Sequence, residues 1–278
     1  KTVRLHTLAR GFTLSTLLSA LLGCNSDSNN DDVTSIDSQS LSEQLVAQIN
    51  VAVEGGVTAL MLPEPTDYEN IPADINNPIT AEKVALGMML FHETQMATAG
   101  VNSTTINTWS CASCHHVAAG FKSGVLQGIG EGGSGFGIAG EARTLLPNFD
   151  GLSIDPTFVP DVQPFTSPSI LNSAYQDVML WNGQFGNAEG GTVNASLDEH
   201  VLAPEGTPKF ENLRGFSGLE TQAIAGTKVH RMNTFDDSVL QNNMEYRLMF
   251  EAAFPEGSND YLEEAGLAMA AYERTALA

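Results

Sequence analysis

Positive charge is what this chain has least of. Only 12 of its 278 residues are Lys or Arg, against 33 Asp or Glu, for a formal charge of −21. A surface this acidic cannot neutralise phosphates, which excludes nucleic acid as a partner. It is soluble and self-repelling, and it draws a basic partner in over a Debye length. Cysteine is almost as scarce: Cys24, Cys111 and Cys114 are the whole supply. An odd, sparse set of this kind is not a disulfide framework. No run alternates well enough to read as a sheet, and no apolar run is long enough to span a bilayer as a permanent helix. What is present in quantity is apolar: 42% hydrophobic residues, with 13 Phe, 5 Tyr and 2 Trp, enough to seed a core and to exclude disorder throughout.

The first 24 residues read as an export signal. Lys1, Arg4 and Arg10 give a positive start, and Phe12 to Leu22 is a short apolar stretch. It ends in Leu21-Leu22-Gly23-Cys24, which resembles the lipobox of bacterial lipoproteins, whose Cys is lipidated. A plain signal peptide with a chance Cys is the alternative. Residues 25–40 are polar and acidic and cannot bury enough surface to offset their ordering entropy, so they read as a flexible tether. The implied location is the periplasm or cell envelope, with membrane contact only through Cys24.

From about Leu41 the pattern becomes helical. Leu41, Leu45, Val46 and Ile49 recur at helical spacing. Thr80 is placed to cap a helix through Glu93, with Val84, Met88 and Phe91 on one face. Further helices are expected around 169–175, 219–225, 236–253 and 260–274, the last capped by Asp260 with Glu263 in the capping-box position. Residues 94–110, polar and irregular, 120–140, rich in Gly, and 143–168, with five Pro, read as long loops, and long loops in a compact domain usually carry function. The expected fold is mainly α, one helical domain with long loops over residues 41–278.

Cys111-Ala112-Ser113-Cys114-His115 is the attachment signature of c-type haem, so the helical domain over residues 41–278 is expected to be a c-type cytochrome-like helical haem domain. Two thiols at this spacing reach the two vinyl groups on one porphyrin edge, and the next residue becomes the proximal iron ligand. A zinc site would need two more ligands, and the adjacent His115 and His116 can hardly share one tetrahedral ion. A thiol–disulfide site would want a thioredoxin-like setting, which the pattern lacks. Met96, Met179 and Met232 are possible sixth ligands that read more simply as core.

Several runs together carry a resemblance. Leu86-Gly87-Met88-Met89-Leu90-Phe91-His92, the haem motif, Gly120-Phe121-Lys122-Ser123-Gly124, Ser167-Pro168-Ser169-Ile170-Leu171-Asn172, Leu180-Trp181-Asn182-Gly183 and Ala270-Ala271-Tyr272-Glu273-Arg274-Thr275 follow in order. Across about residues 70–278 the chain resembles the bacterial di-haem cytochrome c peroxidase and MauG family. The resemblance implies an enzyme that reduces hydrogen peroxide to water with electrons from a small cytochrome c or cupredoxin. It also implies a second haem domain beyond Ala278, and it leaves pairing of two copies open. A mono-haem electron-transfer cytochrome and a MauG-like oxidase are the alternatives.

The resemblance assigns roles residue by residue. Trp181 matches the Trp on the electron path between the haems, and Gln222 matches a Gln that follows it. Two positions depart from the pattern. Glu131 stands where many members have a His on the sixth iron position, leaving either an open iron or a Glu near the pocket. His230 and Arg231 stand in the region of the acid–base Glu. Peroxide cleavage needs a proton shuttle and a positive group, so His230 is expected as the acid–base and Arg231 as the charge stabiliser. Calcium, typical of the family, is put in doubt by Thr166 at the position of an Asn ligand. Asp150, Asp155 and Asp161 read as solvated loop acids.

Overall fold

The computed structural model describes residues 38–124, 128–135, 143–146, 158–186, 205–232, 239–257 and 260–278. Cys24, the export signal and nearly all of the tether lie outside them, as do Asp150 and Asp155. The chain divides into two compact units, Lys1–Met61 and Leu62–Ala278. The first holds helix α1, Ser38–Ala52, and a 3-10 turn over Gly56–Leu60. The side chain of Asn50 accepts the Val57 N–H at 3.0 Å and ties the turn to the helix end. Among its described residues no helix is long and apolar enough to cross a membrane, and the same holds for the second unit.

The second unit is helical with long connections. Its helices are α2, Ala81–His92; α3, Gly218–Val229; α4, Val239–Asn242; α5, Met244–Ala253; and α6, Tyr261–Arg274. Two hairpins of two-residue strands accompany them: β1, Gly133–Ser134, with β2, Thr144–Leu145; and β3, Val178–Met179, with β4, Phe185–Gly186. Ladders this short show no alternation in sequence, so none was expected. Thr80 caps α2 by accepting the Lys83 N–H at 3.2 Å, and Asp260 caps α6 by accepting the Glu263 N–H at 3.1 Å. The helix expected over 236–253 instead restarts at Asn243, whose side chain accepts the Glu245 N–H at 2.9 Å and begins α5. The helix expected over 169–175 is a single 3-10 turn, Ser173–Tyr175, because Asn172 before it is left-handed at φ 59°.

The buried face of α2 is not the one the spacing suggested. Met88 is exposed, and the inward line runs through Lys83, Leu86, Gly87, Leu90 and Phe91. Gly87 is the reason. A Cβ there would lie 1.9 Å from the Ala268 carbonyl, so only glycine lets α2 rest on the backbone of α6. Helix α6 is buried on nearly every side: Ala265, Gly266, Leu267, Ala268, Met269, Ala270 and Ala271 are all inside. It lies against both α2 and α3. The Arg274 guanidinium clasps Glu220 of α3 with two 2.7 Å bonds, so both buried charges are answered. Leu86, Leu90, Met96, Trp109, Met232, Tyr246, Phe250 and Met269 form one core, and Cys111 packs on it. Each fully buried apolar side chain of this size contributes roughly 1.5–3 kcal/mol. The haem motif therefore rests on this core through Cys111.

Candidate haem site

The motif is shaped by its own backbone. Cys111–Ser113 is a 3-10 turn, and the hydroxyl of Ser113 accepts the Ser110 N–H at 3.0 Å. The Cys114 and His115 N–H groups then both donate to the Cys111 carbonyl, at 3.1 and 3.0 Å. This compact turn points both thiols and the imidazole from one short segment. The chain next folds back: Phe121, left-handed at φ 58°, brings its carbonyl to the Nδ1 of His115 at 3.1 Å. That bond sets the tautomer, with Nδ1–H donating and Nε2 left as a lone pair, as a metal-ligating imidazole requires. Burial pushes the imidazole down to about 4, so it is neutral near pH 7.

The same burial pushes the Cys111 thiol up to about 12 and the Cys114 thiol up to about 11. Such thiols are poor metal ligands and poor redox nucleophiles, which need the thiolate. A thioether carries no charge and loses nothing by burial. The donor set therefore fits covalent haem c, with Cys111 and Cys114 as the attachment points and His115 as the iron ligand. Gly128 closes over this edge, where a Cβ would stand 2.8 Å from the Cys114 sulfur. The Phe91 ring lies beside the ligand, its centroid 6.2 Å from that of His115 and 6.4 Å from that of Phe121.

Two acid–base pairs converge beside the motif. Helix α3 ends at His230, and Arg231 follows in the left-handed conformation at φ 55°. A non-glycine residue held there costs about 1 kcal/mol or more and is seen mostly where the surroundings enforce it. The turn sends the two side chains to different acids. His230 Nδ1 donates to Asp161 at 2.9 Å, and Arg231 Nη1 pairs with Glu131. Both acids are buried, Glu131 at 0% and Asp161 at 9% exposure. Glu131 also accepts the Asn102 N–H at 2.6 Å, and Arg231 Nη2 reaches the Val159 carbonyl at 3.0 Å. The indole of Trp109 donates to the His230 carbonyl at 2.8 Å, which ties this turn to the residue two before Cys111. His230 is close enough for its charge to oppose protonation of His115.

The structure corrects the reading of one acid. Asp161 is a buried partner of His230, because the chain around it is pinned: its carbonyl accepts the Gly130 N–H at 2.8 Å and its N–H donates to the Glu131 carbonyl at 2.9 Å. Glu131 points inward, and its charge is answered by Arg231. Gln222 is half-buried on α3, eight residues before His230, and makes no hydrogen bond to the pairs among the described residues. Trp181 is fully exposed at the tip of the β3–β4 hairpin, next to left-handed Leu180 at φ 66°. Met96, Met179 and Met232 are buried in the core, as their helical and loop settings suggested. Among the described residues no group of three or more His, Cys, Asp or Glu converges as an ion site.

Arg143 was missed altogether. It is buried, and its guanidinium donates to the carbonyls of Thr108, Ile129, Gly130, Gly133 and Gly135. It gathers the glycine-rich loop into the β1–β2 hairpin. No local motif marks such a residue, since its partners are main-chain atoms.

Helical fold, attachment turn and oriented proximal imidazole define a c-type haem protein of the helical class. The description "Di-haem cytochrome c peroxidase" matches residues 81–278, and the chain belongs to that family, whose members bind haem c and carry out oxidoreduction. It is 27% identical over 160 residues to the methylamine utilization protein MauG of Methylorubrum extorquens, covering 53% of this chain and 36% of that protein. It is 27% identical over 165 residues to the cytochrome c peroxidase Ccp of Escherichia coli, covering 53% and 28%. Against the cytochrome-c peroxidase IdrP1 of Denitromonas iodatirespirans the identity is 28% over 182 residues, covering 60% and 39%. The chain spans about a third of the length of these curated relatives.

Proposed function

We propose that this chain is the peroxide-reacting haem portion of an exported di-haem peroxidase, with electrons supplied by a small cytochrome c or cupredoxin. Haem held by Cys111, Cys114 and His115 would supply the electrons for cleavage of the peroxide O–O bond. The observation that carries the reading is the placement of His230 and Arg231 beside the attachment turn, each held by a buried acid. Reduction of hydrogen peroxide to two waters consumes two electrons and two protons. His230 takes the proton from one peroxide oxygen and returns it to the leaving oxygen. With Nδ1 committed to Asp161, its Nε2 is the atom free for that transfer. Arg231 stays cationic and stabilises the charge that grows on the leaving oxygen. Trp181, exposed on its hairpin, is the entry for electrons from a second haem domain. The reading carries export with it, Cys24 serving as a lipid attachment in the envelope.

A MauG-like oxidase is the second reading. It is favoured by Glu131, which stands where many members have an iron-binding His and is occupied by Arg231 and Asn102. Replacing His230 by Ala and following peroxide-dependent haem oxidation tests the first reading. A rate unchanged from wild type removes His230 from it. Peroxide reactivity that oxidises an organic or protein substrate, but never a reduced cytochrome, moves the assignment to the second.

A further inference from the structure

Arg143 is 3% exposed, so its cation is held away from water. All three guanidinium nitrogens donate to main-chain carbonyls: Nε to Ile129 at 2.8 Å, Nη1 to Thr108 at 2.5 Å and to Gly135, and Nη2 to Gly130 at 3.1 Å and Gly133 at 2.9 Å. Among the described residues no carboxylate forms an ion pair with it. Neutral donors could knit a loop without the cost of burying a charge. The position of that charge is specific. Gly128 lies against the Cys114 sulfur, which a Cβ there would meet at 2.8 Å, and the next residue, Ile129, gives its carbonyl to Arg143 Nε, so one short segment joins the cation to the attachment sulfur. A Cβ at Gly133 would be 3.0 Å from Nε, so the loop is glycine where it wraps the guanidinium. The other charges nearby are paired among themselves, Glu131 with Arg231 and Asp161 with His230.

We propose that Arg143 is a buried electrostatic control on the haem attached at Cys114, its fixed positive charge raising the iron's reduction potential. One-electron reduction of ferric to ferrous iron lowers the charge of the site by one, and a nearby cation stabilises the electron-richer state. Burial strengthens this, because the interaction is not screened by water. Burial, local dielectric and hydrogen bonding in the shell around a haem are recognised levers on such potentials. Asp161 acts in the opposite sense at Cys114, and its bond to His230 moderates it. Arg143 is thus a tuning residue that touches neither peroxide nor donor. The inference rests on haem attachment at Cys114 and not on peroxide turnover.

The test is a spectroelectrochemical titration of the full chain with covalently attached haem, with Arg143→Gln and Arg143→Lys beside wild type. The haem followed is the one on His115, with its ligation checked by the absorption spectrum. Gln keeps donors and loses charge; Lys keeps charge and loses most donors. At fixed ambient potential the reduced-to-oxidised ratio should fall about tenfold in R143Q, equivalent to about 59 mV, and stay within about twofold of wild type in R143K. A potential in R143Q equal to wild type overturns the proposal. So does an equal fall in both variants, or loss of His115 ligation in both, since either marks a structural clamp. Covalent attachment keeps the haem on the chain even if the loop loosens. A wild-type chain without covalent haem fails the haem reading itself, a different result from an unmoved potential.

Discussion

Asp161 and His230 are 69 residues apart in the chain and 2.9 Å apart in the fold, carboxylate to imidazole Nδ1. The bond decides which ring nitrogen can handle a substrate proton. Replacing Asp161 by Asn keeps the size and removes the anion that fixes the tautomer. The peroxide-dependent step should slow by about 10–100-fold, the usual cost of losing an orienting partner. His230→Ala should slow it further, by on the order of 10²-fold or more. Stopped-flow absorption at rising peroxide concentrations checks both; an Asp161→Asn rate equal to wild type would remove the dyad from the mechanism.

The second pair predicts an asymmetry in stability. Glu131 is fully buried, whereas its partner's side chain is 29% exposed. Arg231→Met strands a carboxylate in the interior and should cost roughly 3–5 kcal/mol. Glu131→Gln leaves a guanidinium that can still reach water and the Val159 carbonyl, so it should cost less. The double variant should recover much of the Arg231→Met loss. Urea unfolding of the four proteins gives the comparison, and a double variant that merely sums the singles would show that the pair is not coupled.

Packing of α2 on α6 turns on one atom. A Cβ at Gly87 would sit 1.9 Å from the Ala268 carbonyl, so Gly87→Ala must push the helices apart. The expected loss is about 1–3 kcal/mol, read as a lowered thermal midpoint. A melt indistinguishable from wild type would contradict the close approach.

Glu273 gives a pH dependence. Burial pushes its carboxyl up to about 8, the charge of Glu220 adds to this, and Arg274 opposes it. Between its ordinary value near 4.5 and about 8, the folded chain keeps a proton that the unfolded chain releases. This residue's contribution to stability therefore declines as pH rises through that window and levels off above it. Glu273→Gln should flatten that part of the profile. Denaturation midpoints measured from pH 5 to 9 test it, and an unchanged slope in the variant would count against a raised Glu273.

Sequence carried the site's local chemistry and lost its long-range chemistry. The haem motif and the caps at Thr80 and Asp260 are spacings of three or four residues, and such patterns survive in one dimension. His230 and Arg231 were singled out because the resemblance marked their region. Asp161 was not: it stands in a proline-rich loop, and its burial depends on hydrogen bonds to Gly130 and Glu131. Arg143 was invisible because its partners are carbonyls, which every residue has. The buried face of α2 was misread because the residue that sets it, Gly87, has no side chain for a hydrophobic pattern to register.

The central claim is that a haem on Cys111, Cys114 and His115 reacts with peroxide with the help of His230. The most direct measurement is peroxide turnover by the full-length, haem-loaded protein with reduced cytochrome c as donor, run beside His230→Ala. The expected result is steady oxidation of the cytochrome that depends on peroxide and falls by on the order of 10²-fold or more in the variant. Covalent haem that is inert to peroxide, or turnover that His230→Ala leaves untouched, would contradict it.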